Sequence, residues 1–486
     1  MKVSIIGSGV SGICAAIRLR SKGFDVDVYE KNKGPGGKLN TFKLDGFRFD
    51  AGPSLFTMPH LVDELFELNN LNPRDYFTYK KKKIHCKYFW DDKTKFTAYS
   101  NRKKFLKEVK NKFKVEESVV NKYLKKAKIK YDLTEKIFLR KSLHKFSSFL
   151  NIETIKALFN LNVFQINKTL NEVNSDELKN KYLIQIFDRY ATYNGSSPYK
   201  TPGMMTLIQH LENHFGTFIP DGGMYEITNA IFNLANDVGV KFHFGCNVDE
   251  IVLEKNIAKK IRVNNKLIKS DIIVSNADVN FTYKELLKQK LKHSSLKNES
   301  SSSALIFYWG MNGVYDELDL HNIFFSSNYK DEFNAIFEKK EIYNDPTVYL
   351  NISCKDVSKD APKDSENWFV MINSPYNLNQ NWDKQIQITR KKIINKLEKI
   401  LGVEVEKNIV KEKVYSPIDL ELNTNSFNGS LYGSSSNNVM SSFMRHPNFT
   451  KKIKNLFFCG GSVHPGGGIP LAILSSKIVS DLIESK

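Results

Sequence analysis

Three groups of residues in this 486-residue chain have the types and spacing for chemistry. Gly7-Ser8-Gly9-Val10-Ser11-Gly12 is a G-x-G-x-x-G run. Cys459 to Ile473, "CGGSVHPGGGIPLAI", holds a second glycine cluster whose only ionisable side chain besides Cys459 is His464. Asp188 and Arg189 stand side by side in "FDRYATYN". Bare glycine backbone suits a large ligand lying against the main chain. His464 has the chemistry of a general base, although the proline and glycines around it equally suit backbone shaping. Asp188 and Arg189 are candidates for polar help to a reaction or for structural charges at a domain junction. As helix neighbours they would not face one another.

The elements around the first cluster specify its use. Val3 to Ile6 is an apolar run read as a buried parallel strand. Ile13, Ala16, Ile17 and Leu19 then recur at helical spacing from Val10 to about Lys22, Gly23 stops the helix, and "DVDVYE" alternates as a second strand ending in Glu30. Gly7 allows the tight turn, Gly9 lets backbone approach a pyrophosphate, and Gly12 lets helix and strand pack closely. Ser8, Val10 and Ser11 fill the loop, and the helix start offers free N–H groups to the phosphates. Glu30 stands where an acid accepts the hydroxyls of an adenosine ribose. Gly36 and Gly37 in "GPGGKLNTF" suggest a second close approach of backbone to the same pyrophosphate. No second G-x-G-x-x-G follows a strand, so no separate nicotinamide domain is expected and FAD is the expected cofactor.

Composition narrows the class. Hydrophobic residues make up 41% of the chain, and no run of eighteen apolar residues offers a membrane-spanning helix. The first residues enter a strand and a glycine loop, so no signal peptide is read. Five cysteines are scattered singly without a C-x-x-C pair, which suggests neither a zinc site nor a disulfide framework and fits a reducing cytoplasm. The net charge of +19 admits two readings: attraction to an anionic partner, or the lysine bias of an AT-rich genome. Lysine dominates over arginine, against sequence-specific nucleic-acid reading.

The segments "SIIGSGVSG", "VYEKN", "GPGGKLNTF", "FRFDAGPSLFTMP", "FDRYATYNGSSPYKTP", "FIPDGGMYEITNAI" and "NLFFCGGSVHPGGGIPLAI" resemble the bacterial-type carotenoid desaturases, relatives of phytoene desaturase among the amine-oxidase-like flavoproteins. The H-P-G-x-G-I-P segment is the most specific of them. The resemblance implies an α/β fold: an FAD-binding Rossmann-like domain interleaved with an α+β substrate-binding domain. It implies cofactor contacts from Glu30, Lys31, Gly36, Gly37, Lys38, Leu39, Gly52, Pro53, Ser54, Val248, Asn276, Gly461, Ser462, Gly468, Ile469 and Pro470 as well as the first loop. A final helix, from about Leu471 to Ile483, would aim its positive end at the flavin. Where other flavoproteins carry Gly-Asp, this chain has Gly461-Ser462, so a hydroxyl must serve where a carboxylate otherwise would.

The implied activity is hydride transfer from a carotenoid to flavin with formation of a C=C bond. "KLNTFKLDGFRFDAGPSLFTMP" and "FDRYATYNGSSPYKTP" are closer to the branch acting at the 3,4 position of 1-hydroxylated carotenes than to phytoene desaturase. A flavin-dependent carotene isomerase, an amine or porphyrinogen oxidase and a non-enzymatic prenyl-binding protein share the scaffold. The terminal acceptor is oxygen or a membrane quinone. No catalytic triad is expected, and Phe187, Tyr190 and Tyr193 are read as tunnel wall.

Five segments follow: 1–80, 216–290 and 421–486 for the FAD part, 81–215 and 291–420 for the substrate part. Leu61 to about Lys80 reads as helix, and "KFHFGCNVDEIVLE" as a strand of the nucleotide sheet. Lysine-rich helices run from about Arg102 to Val173. Within them Phe146, Phe149, Leu150, Leu158, Phe159, Leu161, Val163 and Phe164 form either ordinary core or a membrane-dipping element. A polyene has negligible aqueous concentration, so with this resemblance peripheral contact of a cytoplasmic protein with the membrane surface is expected.

Overall fold

The computed structural model describes residues 1–144, 160–288 and 294–484. Its first layer is a five-stranded parallel sheet built from β1 (Lys2–Ile6), β2 (Asp25–Glu30), β3 (Lys241–Phe244), β4 (Ile272–Ser275) and β5 (Leu456–Phe458), in the order β5-β4-β1-β2-β3. Helix α1 (Val10–Ser21) crosses between β1 and β2 and packs against α2 (Glu226–Asp237) and α3 (Ile469–Leu482). Burial explains the packing: Ile13, Ala16 and Ile17 of α1 share one apolar core with Ile227 and Ile231 of α2 and Ile473 and Leu474 of α3. Glu64 ties this side together by pairing with Arg18 at 3.2 Å and Lys477 at 2.6 Å. The two cations outweigh burial and hold its carboxyl below the usual range.

A seven-stranded sheet forms the second layer, in the spatial order 409–415, 303–312, 365–374, 348–352, 321–324, 84–89 and 95–99. Every neighbouring pair is antiparallel except His321–Phe324 with Ile84–Phe89. Its side chains alternate with the two-residue period of a strand. Phe307, Trp309, Val370, Ile372 and Leu350 pack on Ile393, Ile394 and Leu397 of the helix Trp382–Leu401. The intervening Ile306, Tyr308, Phe369, Met371 and Tyr349 face a cavity. Helices between Arg102 and Phe215 close that cavity from the other side.

Two expectations change. The span from Leu61 to Lys80 is a helix only over His60–Glu67; Asn70 turns into the left-handed region at φ +56° and Pro73 opens a short 3-10 turn. Tyr79–Lys81 is instead a strand paired with Phe218–Pro220. In "KFHFGCNVDEIVLE" only β3 joins the nucleotide sheet. Gly245, at φ +65°, breaks the run, and Val248–Glu254 forms an antiparallel three-stranded sheet with Ile257–Val263 and Lys266–Lys269. Of the apolar stretch, Phe146, Phe149, Leu150, Leu158 and Phe159 lie outside the described residues; Phe164 is buried and Val163 half-buried. No helix among the described residues is long and apolar enough to cross a membrane.

Candidate functional site

The first glycine loop connects β1 to α1. Gly7 takes φ +96° and donates its N–H to Tyr29 O at 2.8 Å, locking the turn to β2. A side chain on Gly12 would collide with the Gly7 carbonyl oxygen, and one on Gly9 would approach Asn276 Oδ1 to 2.8 Å. The start of α1 has neither a side-chain cap nor an acid in its first turn, leaving its N–H groups to whatever lies beyond. Glu30 is buried and preset: Oε2 accepts the Ser8 N–H at 2.8 Å and the Ser8 hydroxyl at 3.0 Å, and Oε1 accepts the Asn32 N–H at 2.9 Å.

The Gly36-Gly37 pair brings one loop against another. Gly36 donates its N–H to Ser8 O at 2.9 Å, both glycines have positive φ, and a Cβ on Gly37 would lie 3.3 Å from Gly9 Cα. The two glycine loops thus form a single backbone surface. Gly52 is equally constrained, since any Cβ there would overlap the Lys38 carbonyl oxygen.

The second glycine cluster completes this surface from beyond β5. Cys459 donates its N–H to Ser275 O at 3.0 Å, and Asn276 Nδ2 donates to Cys459 O at 3.1 Å. Asn276 therefore binds the late loop through its amide nitrogen while its Oδ1 faces Gly9 and Gly12. The Ser462 hydroxyl oxygen accepts the Val279 N–H at 3.0 Å, so the residue in the usual carboxylate position is anchored to the protein and keeps its proton to donate. The His464–Pro465 peptide is cis, and Asn448 Nδ2 donates to His464 O at 2.8 Å. Helix α3 starts two residues earlier than expected, with Pro470 in its first turn, no side-chain cap and no acid there.

These segments surround one cavity of about 1080 Å³. Gly7, Gly9, Val10, Ser11, Glu30, Lys31, Gly36, Gly37, Lys38, Leu39, Gly52, Pro53, Ser54, Val248, Asn276, Gly461, Ser462, Gly468, Ile469 and Pro470 all line it; Ser8 and Gly12 stand behind them. The cavity continues past this cradle into an apolar chamber between Ile306, Ile323, Phe369 and Met371 of the large sheet and Phe138, Leu139, Leu143, Met204 and Ile208 of the helical side. The cradle has what a dinucleotide requires: bare loops, an uncapped helix start and a fixed ribose-height acid. FAD therefore fits the residues present.

The remaining candidates part company. Arg189 lines the cavity wall and is fully engaged: Nη2 donates to Glu212 Oε1 at 2.8 Å and Oε2 at 3.1 Å, Nε to Tyr88 OH and Nη1 to Tyr193 OH, both at 2.9 Å. Burial pushes the Glu212 carboxyl up, but Arg189 and the tyrosine hydroxyls outweigh it and hold it below the usual range. Asp188 points away from the cavity and accepts Asn171 Nδ2 at 2.6 Å and Asn174 Nδ2 at 2.8 Å; burial pushes it up to about 7. His464 lines the cavity, but its Nε2 proton goes to Lys141 O at 2.9 Å, and burial pulls the ring down to about 4. Tyr193 also lines the cavity, while Phe187 and Tyr190 are buried behind it.

Two lining residues had no place in the sequence reading. Glu212 is a lone acid within the largely apolar stretch from Met204 to Pro220, which was its only signal. Arg445 is buried and gives its guanidinium to backbone carbonyls. Among the described residues no group of three or more His, Cys, Asp or Glu is placed to hold a metal ion.

Comparison with known proteins matches the chain to a family. The model of the flavin containing amine oxidoreductases matches residues 10–483. A 1-hydroxycarotenoid 3,4-desaturase of Flavobacterium sp. (strain P99-3) is 48% identical over 99% of this chain and 99% of its own. A 4,4'-diaponeurosporene oxygenase of Staphylococcus aureus (strain MSSA476) is 32% identical over 100% of this chain and 98% of its own. Among solved structures, an oxidoreductase from Methanosarcina mazei superposes with a TM-score of 0.66 at 13% identity, covering 99% of this chain and 100% of its own. Putrescine oxidase bound to putrescine gives 0.64 at 11% identity, covering 99% and 98%. At such identity these structures speak for the fold alone. Cradle, fold and full-length similarity agree: this is an FAD-dependent oxidoreductase, and the chain belongs to the flavin containing amine oxidoreductase family, in its carotenoid-desaturase branch.

Proposed function

We propose that this protein removes two hydrogens from the 3,4 position of a 1-hydroxylated carotenoid. The observation that carries this reading is 48% identity, across nearly the whole of both chains, to a relative named for that reaction. The apolar chamber that continues from the nucleotide cradle supports it. The whole cavity, cradle and chamber together, measures about 1080 Å³, slightly above the ~300–1,000 Å³ common for small-molecule sites, as a cofactor plus a polyene end requires. The relatives named as oxygenases are more distant at 32% and favour a second reading less.

When bound, FAD supplies a hydride acceptor; forming the C=C bond takes a hydride from one carbon and a proton from its neighbour. The chain's own work is binding and orientation. The backbone N–H groups at the start of α1 take the pyrophosphate, and Glu30, held in place by Ser8 and Asn32, takes the ribose hydroxyls. Ser462 donates its remaining proton toward the ribityl chain. The apolar walls hold the polyene and exclude water. Arg189 and Glu212 brace the wall as a closed ion pair, Asp188 ties its helix to Asn171 and Asn174, and His464, neutral and committed to Lys141, shapes the late loop. A conjugated cation is self-stabilised, so no dedicated base is assigned.

The five-segment division belongs to the same proposal, and the distribution of strands supports it. Among the described residues, all five strands of the parallel sheet come from 1–80, 216–290 and 421–486, and all strands of the seven-stranded sheet from 81–215 and 291–420. Peripheral contact with a membrane surface, and oxygen or a quinone as final acceptor, belong to the same proposal. A polyene must pass from bilayer to protein without crossing water.

The test is expression in cells that accumulate either an acyclic carotene or its 1-hydroxy derivative, followed by pigment analysis. Loss of two hydrogens from the hydroxylated pigment is expected. Unchanged pigment in every strain defeats the reading.

A further inference from the structure

Arg445 is a buried cation without a counter-charge. It is 2% exposed, yet it lines the cavity beside the late glycine loop. Nη1 donates to Tyr432 O at 2.7 Å and Gly461 O at 3.3 Å, and Nη2 donates to Ser434 O at 2.8 Å. No carboxylate among the described residues pairs with it. Burial alone acts on the group and pulls it down to about 10. A buried charge of this kind is costly unless something of opposite sign meets it. Carbonyl oxygens accept three donations from Arg445 but leave its full positive charge in place.

The surroundings say where that charge is felt. A Cβ on Gly466 would come within 3.3 Å of Arg445 Nε, so the glycine allows the loop to rest directly on the guanidinium. Two residues on, Gly468 opens α3, whose uncapped, acid-free N-terminus lines the same part of the cavity. Arg445 also reaches His464 across this loop, helping burial to keep that ring neutral. The phosphate-binding loop at Gly7–Gly12 has its own helix start, so Arg445 and the start of α3 make a second positive feature on the late-loop side of the cradle.

We propose that Arg445 is a positioning residue for electron transfer: its charge, delivered through the loop from Gly461 to Gly468, stabilises the negative charge of reduced flavin and raises the cofactor's reduction potential. The proposal needs only the bound flavin of this family, not the identity of the carotenoid. Its failure is therefore separate from failure of the substrate reading.

The test compares FAD-loaded wild type with Arg445→Gln, which keeps amide donors for the carbonyls but loses the charge, and Arg445→Lys, which keeps the charge with fewer donors. Two readouts need no turnover: the flavin midpoint potential by reductive titration against a reference dye, and the dissociation constant of sulfite. Sulfite adds to oxidised flavin and places negative charge on the same part of the ring. Arg445→Gln is expected to weaken sulfite binding about tenfold and lower the two-electron potential by about 30 mV, the equivalent of tenfold. Arg445→Lys is expected to stay near wild type in both. If Arg445→Gln loses FAD while Arg445→Lys retains it at wild-type potential, charge is still the deciding property and the proposal stands. If Arg445→Gln holds FAD with both readouts unchanged, if Arg445→Lys shifts as far as Arg445→Gln, or if both variants lose FAD, Arg445 is only a backbone clamp and the proposal falls.

Discussion

Glu212→Gln changes one atom of the cavity wall and should be among its most damaging substitutions. The Arg189 and Glu212 side chains are 8% and 3% exposed, so water cannot replace the lost charge. At an effective dielectric of about 20, charges about 4 Å apart attract by about 4 kcal/mol, and removing one partner of a buried pair costs about 3–5 kcal/mol. At about 2.1 cal/mol/K per residue, the unfolding entropy of 486 residues is about 1 kcal/mol/K. The midpoint should therefore fall by about 3–5 °C in a thermal melt followed by flavin release. The sign with pH is fixed by the direction of the Glu212 shift. A carboxyl held below its ordinary value contributes stability above that value, near 4.5, and loses it as pH falls further. The deficit should thus stay constant from pH 8 to about 5 and shrink below. Combining Arg189→Met with Glu212→Gln removes the orphaned charge, so the double variant should be about 1–3 kcal/mol more stable than the sum of the single losses predicts. Additivity to within about 0.5 kcal/mol would refute the buried-pair account.

Other expectations concern the cradle and the histidines. Gly52→Ala should strip the purified protein of flavin, read from the ratio of visible to ultraviolet absorbance, because its methyl would overlap the Lys38 carbonyl. Gly34→Ala, a few residues from the Gly36-Gly37 pair, meets no protein atom within 4 Å and has an ordinary φ, so it should keep the wild-type melting midpoint; an equal midpoint for Gly52→Ala would contradict the packing. His210, His321 and His464 are each pulled down to about 4 by burial. They are neutral when folded and protonated when unfolded between about pH 6.5 and 4, so unfolding takes up protons there and stability falls with acid. His321→Gln should lower the pH dependence of the urea midpoint by about one proton in that window. Purified protein should co-sediment with anionic vesicles more than with neutral ones at low salt; no sedimentation with either would remove the membrane part of the proposal.

What could be read from the sequence follows the range of the interaction involved. The G-x-G-x-x-G loop, α1 and Glu30 were legible because backbone geometry within about thirty residues dictates them, and Gly7 and Gly12 have the turn and close packing expected. Gly36-Gly37 was half legible. Two adjacent glycines signal close backbone approach, but only the fold reveals that Gly36 meets the Ser8 carbonyl. The pairing of Arg189 with Glu212 was out of reach, since nothing local links residues 23 apart across separate helical turns. Asp188 and Arg189 show the same limit at the shortest range. As helix neighbours they diverge, as expected, but only the fold shows that Arg189 faces the cavity and Asp188 faces Asn171 and Asn174. Arg445 gave no signal, because carbonyl partners carry no sequence pattern.

The edge position of β5 bears on how the molecule is made. During synthesis β1, β2, β3 and β4 leave the ribosome long before β5 and α3. In that interval β4 presents an unpaired strand edge, and the flank of α1 that will receive Ile473 and Leu474 is bare to water. Such a nascent chain has the features that chaperones hold and that aggregates recruit. A ribosome stalled before Leu456 would release a product that can neither shield its central sheet nor close around its prosthetic group.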